Sequence, residues 1–180
     1  MRALLDANVL YPTVMRELLL AVAARGAFRP LWSARLLEEW ARAAAKLGPA
    51  GEAQARGEIA LLRAAWPEAE IAPGASLEAR LWLPDPSDIH VLAAAIAGSA
   101  DVIVTMNAAD FPRGVLAEEG VSRADPDAFL LGLWKADPAL VAEAAEAVRA
   151  RAEALSENGP WEMRALLKKA RLPRLAKALA

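Results

Sequence analysis

The apolar positions of this chain fall into two kinds of run. Ala3-Leu4-Leu5 and Val102-Ile103-Val104 are continuous and too short for helices, which predicts strands buried on both faces in a parallel sheet. Elsewhere the recurrence is helical: Val14, Leu18, Leu19 and Val22 within 13–24, stopped by Gly26, and Leu36, Leu37, Trp40 and Ala44 on one face of 34–45, with Ser33 as N-cap. Ile59, Leu62 and Trp66 mark a third helix over 52–66, closed by Pro67. Asp85-Pro86-Ser87-Asp88 reads as a helix start, with Asp85 as N-cap and Pro86 at the first helical position, and the helix runs to Gly98. Residues 28–32 suit a short strand or an extended connection, 68–84 carry no clear pattern, and 106–111 form a loop after the second strand. Helices are expected over 127–134, 138–155 and 160–172, with Asn158-Gly159 as a stop and Pro173 as a break. Strands alternating with helices predict an α/β fold.

Composition narrows the chemistry. Cysteine is absent, so a disulfide, a thiolate metal site and a cysteine nucleophile are excluded, and a metal must bind through oxygen or through the single His90. No apolar run is long enough for a membrane helix, and Asp6 interrupts any apolar leader, which makes the cytoplasm the expected location and a membrane an unexpected partner. The net charge of −2 hides an asymmetry, because residues 161–180 carry six basic groups and one acidic. A basic tail can meet phosphates, but a solvated helix face accounts for it as well.

Acidic residues recur at the ends of elements. Asp6 follows the first strand, Asp110 lies in the loop beyond the second, and Asp88 opens the helix that leads into it. In an open α/β sheet the carboxyl ends of strands are where ligands bind. Carboxylates gathered there would repel one another unless a divalent cation neutralised them, and oxygen-only donors favour Mg²⁺ or Mn²⁺. Each residue also has a plainer use: Asp6 and Asp110 as turn residues, Asp88 as a helix-dipole partner, Glu39 as a solvated mid-helix acid. Only their joint placement points to catalysis.

That placement resembles the PIN-domain family of metal-dependent nucleases. The resemblance runs from residue 1 to about Leu131. It is carried by Leu5-Asp6-Ala7-Asn8-Val9-Leu10-Tyr11-Pro12, by Trp32-Ser33 through Leu37-Glu38-Glu39-Trp40, by Asp85-Pro86-Ser87-Asp88-Ile89-His90-Val91-Leu92-Ala93-Ala94-Ala95, and by Asp101-Val102-Ile103-Val104-Thr105-Met106-Asn107 with Asp110-Phe111-Pro112. It implies a three-layer fold, a parallel sheet of about four to five strands between helices, in a domain of residues 1–135. The helical extension that follows, 136–180, exceeds what such a domain requires and, with no linker before it, is expected to pack on the same domain. The resemblance also implies that Asp6, Glu39, Asp88 and Asp110 hold the metal and are catalytic, that Asn107 and Thr105 help to place water or ligand, and that Asn8 and Ser33 support them. Asn107 stands where many members carry Asp, and Ile89 where relatives often carry Arg. Glu38 is the neighbour with which Glu39 could be confused, one step on a helix being a rotation of ~100°.

The expected activity is hydrolysis of RNA phosphodiesters by a divalent-metal-dependent endoribonuclease, with an antitoxin protein as partner if the chain is the toxin of a toxin-antitoxin pair. The alternative is a PIN-like module that binds RNA or protein with weak or no catalysis. Other enzyme classes lack their signatures: there is no second aspartate at position 8 for a haloacid-dehalogenase phosphatase, no glycine-rich turn after the first strand, no Gly-Lys-Ser/Thr, and no Gly-x-Ser-x-Gly. His90, two residues from Asp88 on a helix, reads as structural, and Trp32, Trp40, Trp66 and Trp134 read as core. The stripe Leu140, Val141, Ala144, Val148 and Leu155 could pack within the extension, form a homodimer or dock an antitoxin, and Arg164, Lys168, Lys169, Arg171 and Arg174 could meet phosphates.

Overall fold

Five strands form one parallel sheet in the computed structural model, which describes residues 1–156 and 160–179. They are β1 (Arg2–Leu5), β2 (Arg29–Ser33), β3 (Glu70–Ile71), β4 (Val102–Val104) and β5 (Ser122–Ala124), in the spatial order β3-β2-β1-β4-β5. β1 is central, with Leu4 opposite Leu31 of β2 and Ile103 of β4. Ala3, Leu4 and Leu5 are completely buried, as a strand covered on both faces must be. The chain leaves β1 towards β2 and β3, then returns to lay β4 on the other side, so the strand order reverses between β1 and β4. The carboxyl ends at such a reversal form a crevice open to ligands. Helices flank the sheet, and the α/β fold expected from the sequence is the one observed.

The contacts divide the chain into two units, residues 1–11 with 29–124, and residues 12–28 with 125–180. The first holds the whole sheet. Its helix Ala34–Ala45 starts as expected, with Ser33 Oγ accepting from the Leu36 N–H. The third helix starts earlier than the apolar pattern indicates, at Pro49, because Gly48 at φ 95° turns the chain and proline suits the first helical position. The unreadable stretch contains β3 and a short helix, Ala75–Arg80. Helix Ile89–Ala97 follows a 3₁₀ turn, Pro86–Asp88, capped by Asp85. Gly98 ends that helix for a packing reason. A Cβ there would lie 2.8 Å from Leu31 Cδ1 and 3.0 Å from Ile71 Cγ1, while the left-handed residue is the next one, Ser99 at φ 51°.

The second unit is helical: Thr13–Ala24, Pro126–Ala136, Pro138–Ala154, Met163–Lys169 and Pro173–Ala178. The expected single helix over 160–172 is thus shorter, and Arg171, left-handed at φ 61°, separates it from a further helix that begins at Pro173 rather than breaking there. The Asn158-Gly159 stop lies outside the described residues. Val141, Ala144 and Val148 of the apolar stripe are buried, whereas Leu155 is exposed. Buried Asp127 has a structural use, its carboxylate accepting the N–H groups of Arg174 and Leu175 at 2.9 and 3.0 Å where the last helix begins. Among the described residues no helix is long and apolar enough to cross a membrane.

Candidate metal and catalytic site

Two groups of side chains stand at the carboxyl end of the sheet. The first is built on the ends of β1 and β4. Asp6 is the residue after β1, its N–H donating to the Val104 carbonyl at 3.1 Å and its own carbonyl closing the helical turn Ala7–Leu10. Its Oδ2 accepts from Thr105 Oγ1 at 2.6 Å and from Asn8 Nδ2 at 2.7 Å. Thr105 Oγ1 accepts in turn from the Asn107 N–H at 3.0 Å, and Asn8 Oδ1 from the Met106 N–H at 3.0 Å. Asp6, Asn8 and Thr105 therefore form a closed knot that ties β1 to β4. Asp6 is only 8% exposed. Burial pushes its carboxyl above its ordinary value, against the pull of the bonds from Thr105, Ala7 and Asn8, and the negative charge of Glu39 adds to the rise.

The second group is acidic and open. Asp85, Asp88 and Asp110 each place an oxygen within 4.8 Å of the others. Asp85 is exposed and caps the 3₁₀ turn through the Ser87 N–H at 2.8 Å, whereas Asp88 and Asp110 are half-buried. Asp110 also accepts a hydrogen bond from Asn107 Nδ2. Burial, a hydrogen bond shared with Asp110, and the charges of Asp6, Asp110 and Asp85 push Asp88 up to about 6. Three carboxylates this close cannot all ionise cheaply. Such an oxygen-only donor set fits a hard divalent cation, whose charge would offset the repulsion.

Glu39 acts on Asp6 through its charge and lies outside the close trio. It points to His90, Nε2 of the buried imidazole lying 2.9 Å from Glu39 Oε1, and to Arg35, whose Nε is 3.5 Å from the same oxygen. Burial by itself would raise the Glu39 carboxyl, but His90 and Arg35 outweigh it and hold the group below its ordinary value. Glu38 faces elsewhere and pairs with Arg42 and Arg56. The structure therefore separates these neighbours as the helical rotation requires. His90 makes this close contact with a candidate ligand, while neither of its buried ring nitrogens completes a hydrogen bond.

Of the site residues expected from sequence, Asp88 and Asp110 come together, and Asp6 lies near enough for its charge to act on Asp88. Thr105, Asn8 and Asn107 sit within hydrogen-bonding distance of the candidate acids. The described bond of Ser33 is its helix cap. From the sequence alone it is not expected that Asp85 joins this acidic group or that Arg35 lies beside Glu39. The Asp85-Pro-Ser-Asp88 spacing carries a signal for the first, since one tight turn brings both carboxylates to one side. Arg35 gives none. Of the four tryptophans that read as core from the sequence, Trp32 and Trp40 are buried and Trp66 and Trp134 are half-buried.

The family model described as PIN domain matches residues 2–109, more than half of the chain. No curated protein and no solved structure matches it.

Proposed function

The chain belongs to the PIN-domain family, whose members are generally nucleases, and on that premise we propose that it is a divalent-metal-dependent endoribonuclease whose site residues are Asp6, Glu39, Asp88 and Asp110, with Asp85 as an additional ligand. The observation that carries this reading is the convergence of the Asp85, Asp88 and Asp110 oxygens at the carboxyl ends of the central strands, where the charge of Asp6 also acts. Bound there, Mg²⁺ or Mn²⁺ would lower the pKa of a coordinated water and stabilise the charge that develops on phosphate oxygens during hydrolysis.

The protein's own groups have distinct roles in this reading. Thr105 and Asn8 fix Asp6 Oδ2, so that the carboxylate meets a ligand without losing side-chain freedom on binding. Asn107 restrains Asp110 while adding no charge. His90 orients Glu39 from a buried position. Hydrolysis on this pattern leaves a 5′-phosphate and a 3′-hydroxyl. A role as the toxin of a toxin-antitoxin pair in the cytoplasm, with an antitoxin covering the acidic crevice and a homodimer as the assembled form, is part of the proposal and rests on family kinship.

The test is cleavage of a mixed-sequence, fluorophore-quencher RNA in Mg²⁺ or Mn²⁺, beside EDTA and Asp6→Asn controls. Cleavage that both controls abolish supports the reading. Cleavage that survives EDTA contradicts it, and silence of a protein that demonstrably binds Mn²⁺ and RNA would favour a binding module.

A further inference from the structure

The arginines of the sheet-bearing unit differ in how fully their N–H groups are taken up. Arg63 meets Glu70 at 2.6 and 3.2 Å, Arg80 meets Glu119 at 2.7 and 2.9 Å, and Arg56 is shared between Glu38 and Glu52. Arg35 is different. Its Nη2 lies 3.4 Å from the Ser87 carbonyl and its Nε 3.5 Å from Glu39 Oε1, both at the outer limit of a hydrogen bond, and the side chain is 55% exposed.

Beyond its part in holding Glu39 below its ordinary value, local structure gives little reason for a cation at this position. Arg35 occupies the first turn of helix Ala34–Ala45, where the helix dipole opposes positive charge. Its pairing with Glu39 runs in the less favourable order, with the basic residue N-terminal to the acid, and is exposed and long. What the position does provide is reach. Arg35 follows β2 at the carboxyl edge of the sheet and touches both Glu39 and the turn that carries Asp85 and Asp88. An acidic crevice repels a polyanion, and a planar guanidinium with free donors can grip two oxygens of one phosphate.

We propose that Arg35 is the substrate-holding cation of this site, binding the non-bridging oxygens of an RNA phosphate beside the carboxylates. The inference rests on the nuclease reading and adds to it the group that holds the substrate. Fluorescence anisotropy of a short single-stranded RNA, kept intact in Ca²⁺, tests it across a salt series with wild type, Arg35→Gln and Arg35→Lys. Arg35→Gln should weaken binding about tenfold, as loss of one charge-assisted contact does, and reduce the salt slope by about 0.7. Arg35→Lys should restore the slope but only part of the affinity, and both variants should keep the wild-type thermal shift with Mn²⁺. Unchanged affinity and slope in Arg35→Gln, beside a wild type that binds, would overturn the proposal alone. Loss of the Mn²⁺ shift would also overturn it, by making Arg35 a strut for Glu39. A wild type that binds no RNA would remove the nuclease reading and this inference with it.

Discussion

The two sides of the crevice solve opposite problems. On the Asp6 side a buried carboxylate is satisfied: two donors, Thr105 and Asn8, share one of its oxygens, and each is itself held by the loop after β4. On the other side exposed Asp85 and half-buried Asp88 and Asp110 crowd together, and burial, with the hydrogen bond to Asp110 and the neighbouring charges, pushes Asp88 up to about 6. The first side is rigid because its hydrogen bonds are complete. The second is poised because its charges are not balanced, so binding energy for a cation resides chiefly there. Buried Asp127 shows what an acid looks like when its role is structural, with both its oxygens taken by backbone N–H groups at a helix start.

The largest effects should come from removing charge on either side. Asp6→Asn and Asp88→Asn should each reduce metal-dependent cleavage to background, yet neither should unfold the protein. Asp88→Asn relieves the crowding and should raise the melting temperature of the metal-free protein by about 2–4 °C, the equivalent of ~1 kcal/mol in a chain of this size after discounting for solvent exposure. A calorimetric scan without metal measures this directly. A lower melting temperature would show that the trio is not strained and would break the comparison.

Thr105→Val should do the reverse. The hydroxyl is buried and engages Asp6, Asn8 and the Asn107 N–H at once. Replacing it with a methyl group leaves a buried carboxylate short of a donor and should cost about 2 kcal/mol of stability in urea unfolding, with cleavage lowered because Asp6 is no longer fixed. A stability equal to wild type would mean that the knot is ornamental.

The sequence made one side far more legible than the other. Asp6 announces itself because β1 is an unbroken apolar run, and Ser33, Asp85 and Pro86 mark helix starts by local chemistry that needs no tertiary partner. β4 was equally readable, being three β-branched residues. By contrast, β3 and β5 are edge strands of two and three residues that include Glu70, Ser122 and Arg123, and such strands carry no apolar signature. Asp85 was legible as a cap and silent as a neighbour of Asp110, because that approach depends on how β4 seats against β1. The meeting of Glu39 with His90 was hidden for the same reason: two helices far apart in sequence set it. The grouping of residues 12–28 with the C-terminal helices likewise follows from packing that no local pattern encodes.

Acid should sharpen the contrast between the two sides more gently. The folded value of Asp88, about 6, lies above its ordinary 3.8, so between those values the folded protein holds a proton that the unfolded chain releases. Its contribution to stability is therefore fully present below the ordinary value and lost as pH rises through about 6. The difference in melting temperature between metal-free wild type and Asp88→Asn should shrink as pH falls from about 7 to about 5, and the Mn²⁺-induced shift of wild type should decline over the same window as protons compete with the cation. A difference independent of pH would assign the crowding to something other than this carboxyl.

The smallest expected effect tests whether Glu39 belongs with the acidic side at all. Glu38 is engaged by Arg42 and Arg56 on the exposed face of the helix, and exposed pairs of that kind contribute little. Glu38→Gln should leave cleavage and the Mn²⁺ shift unchanged. Glu39→Gln, one residue and ~100° away, should diminish both, because its carboxylate is the one held beside His90 and felt by Asp6. If instead Glu38→Gln weakened the metal response and Glu39→Gln did not, the Glu39–His90 contact would be a strut between two helices, and the cation would be left to the aspartates alone.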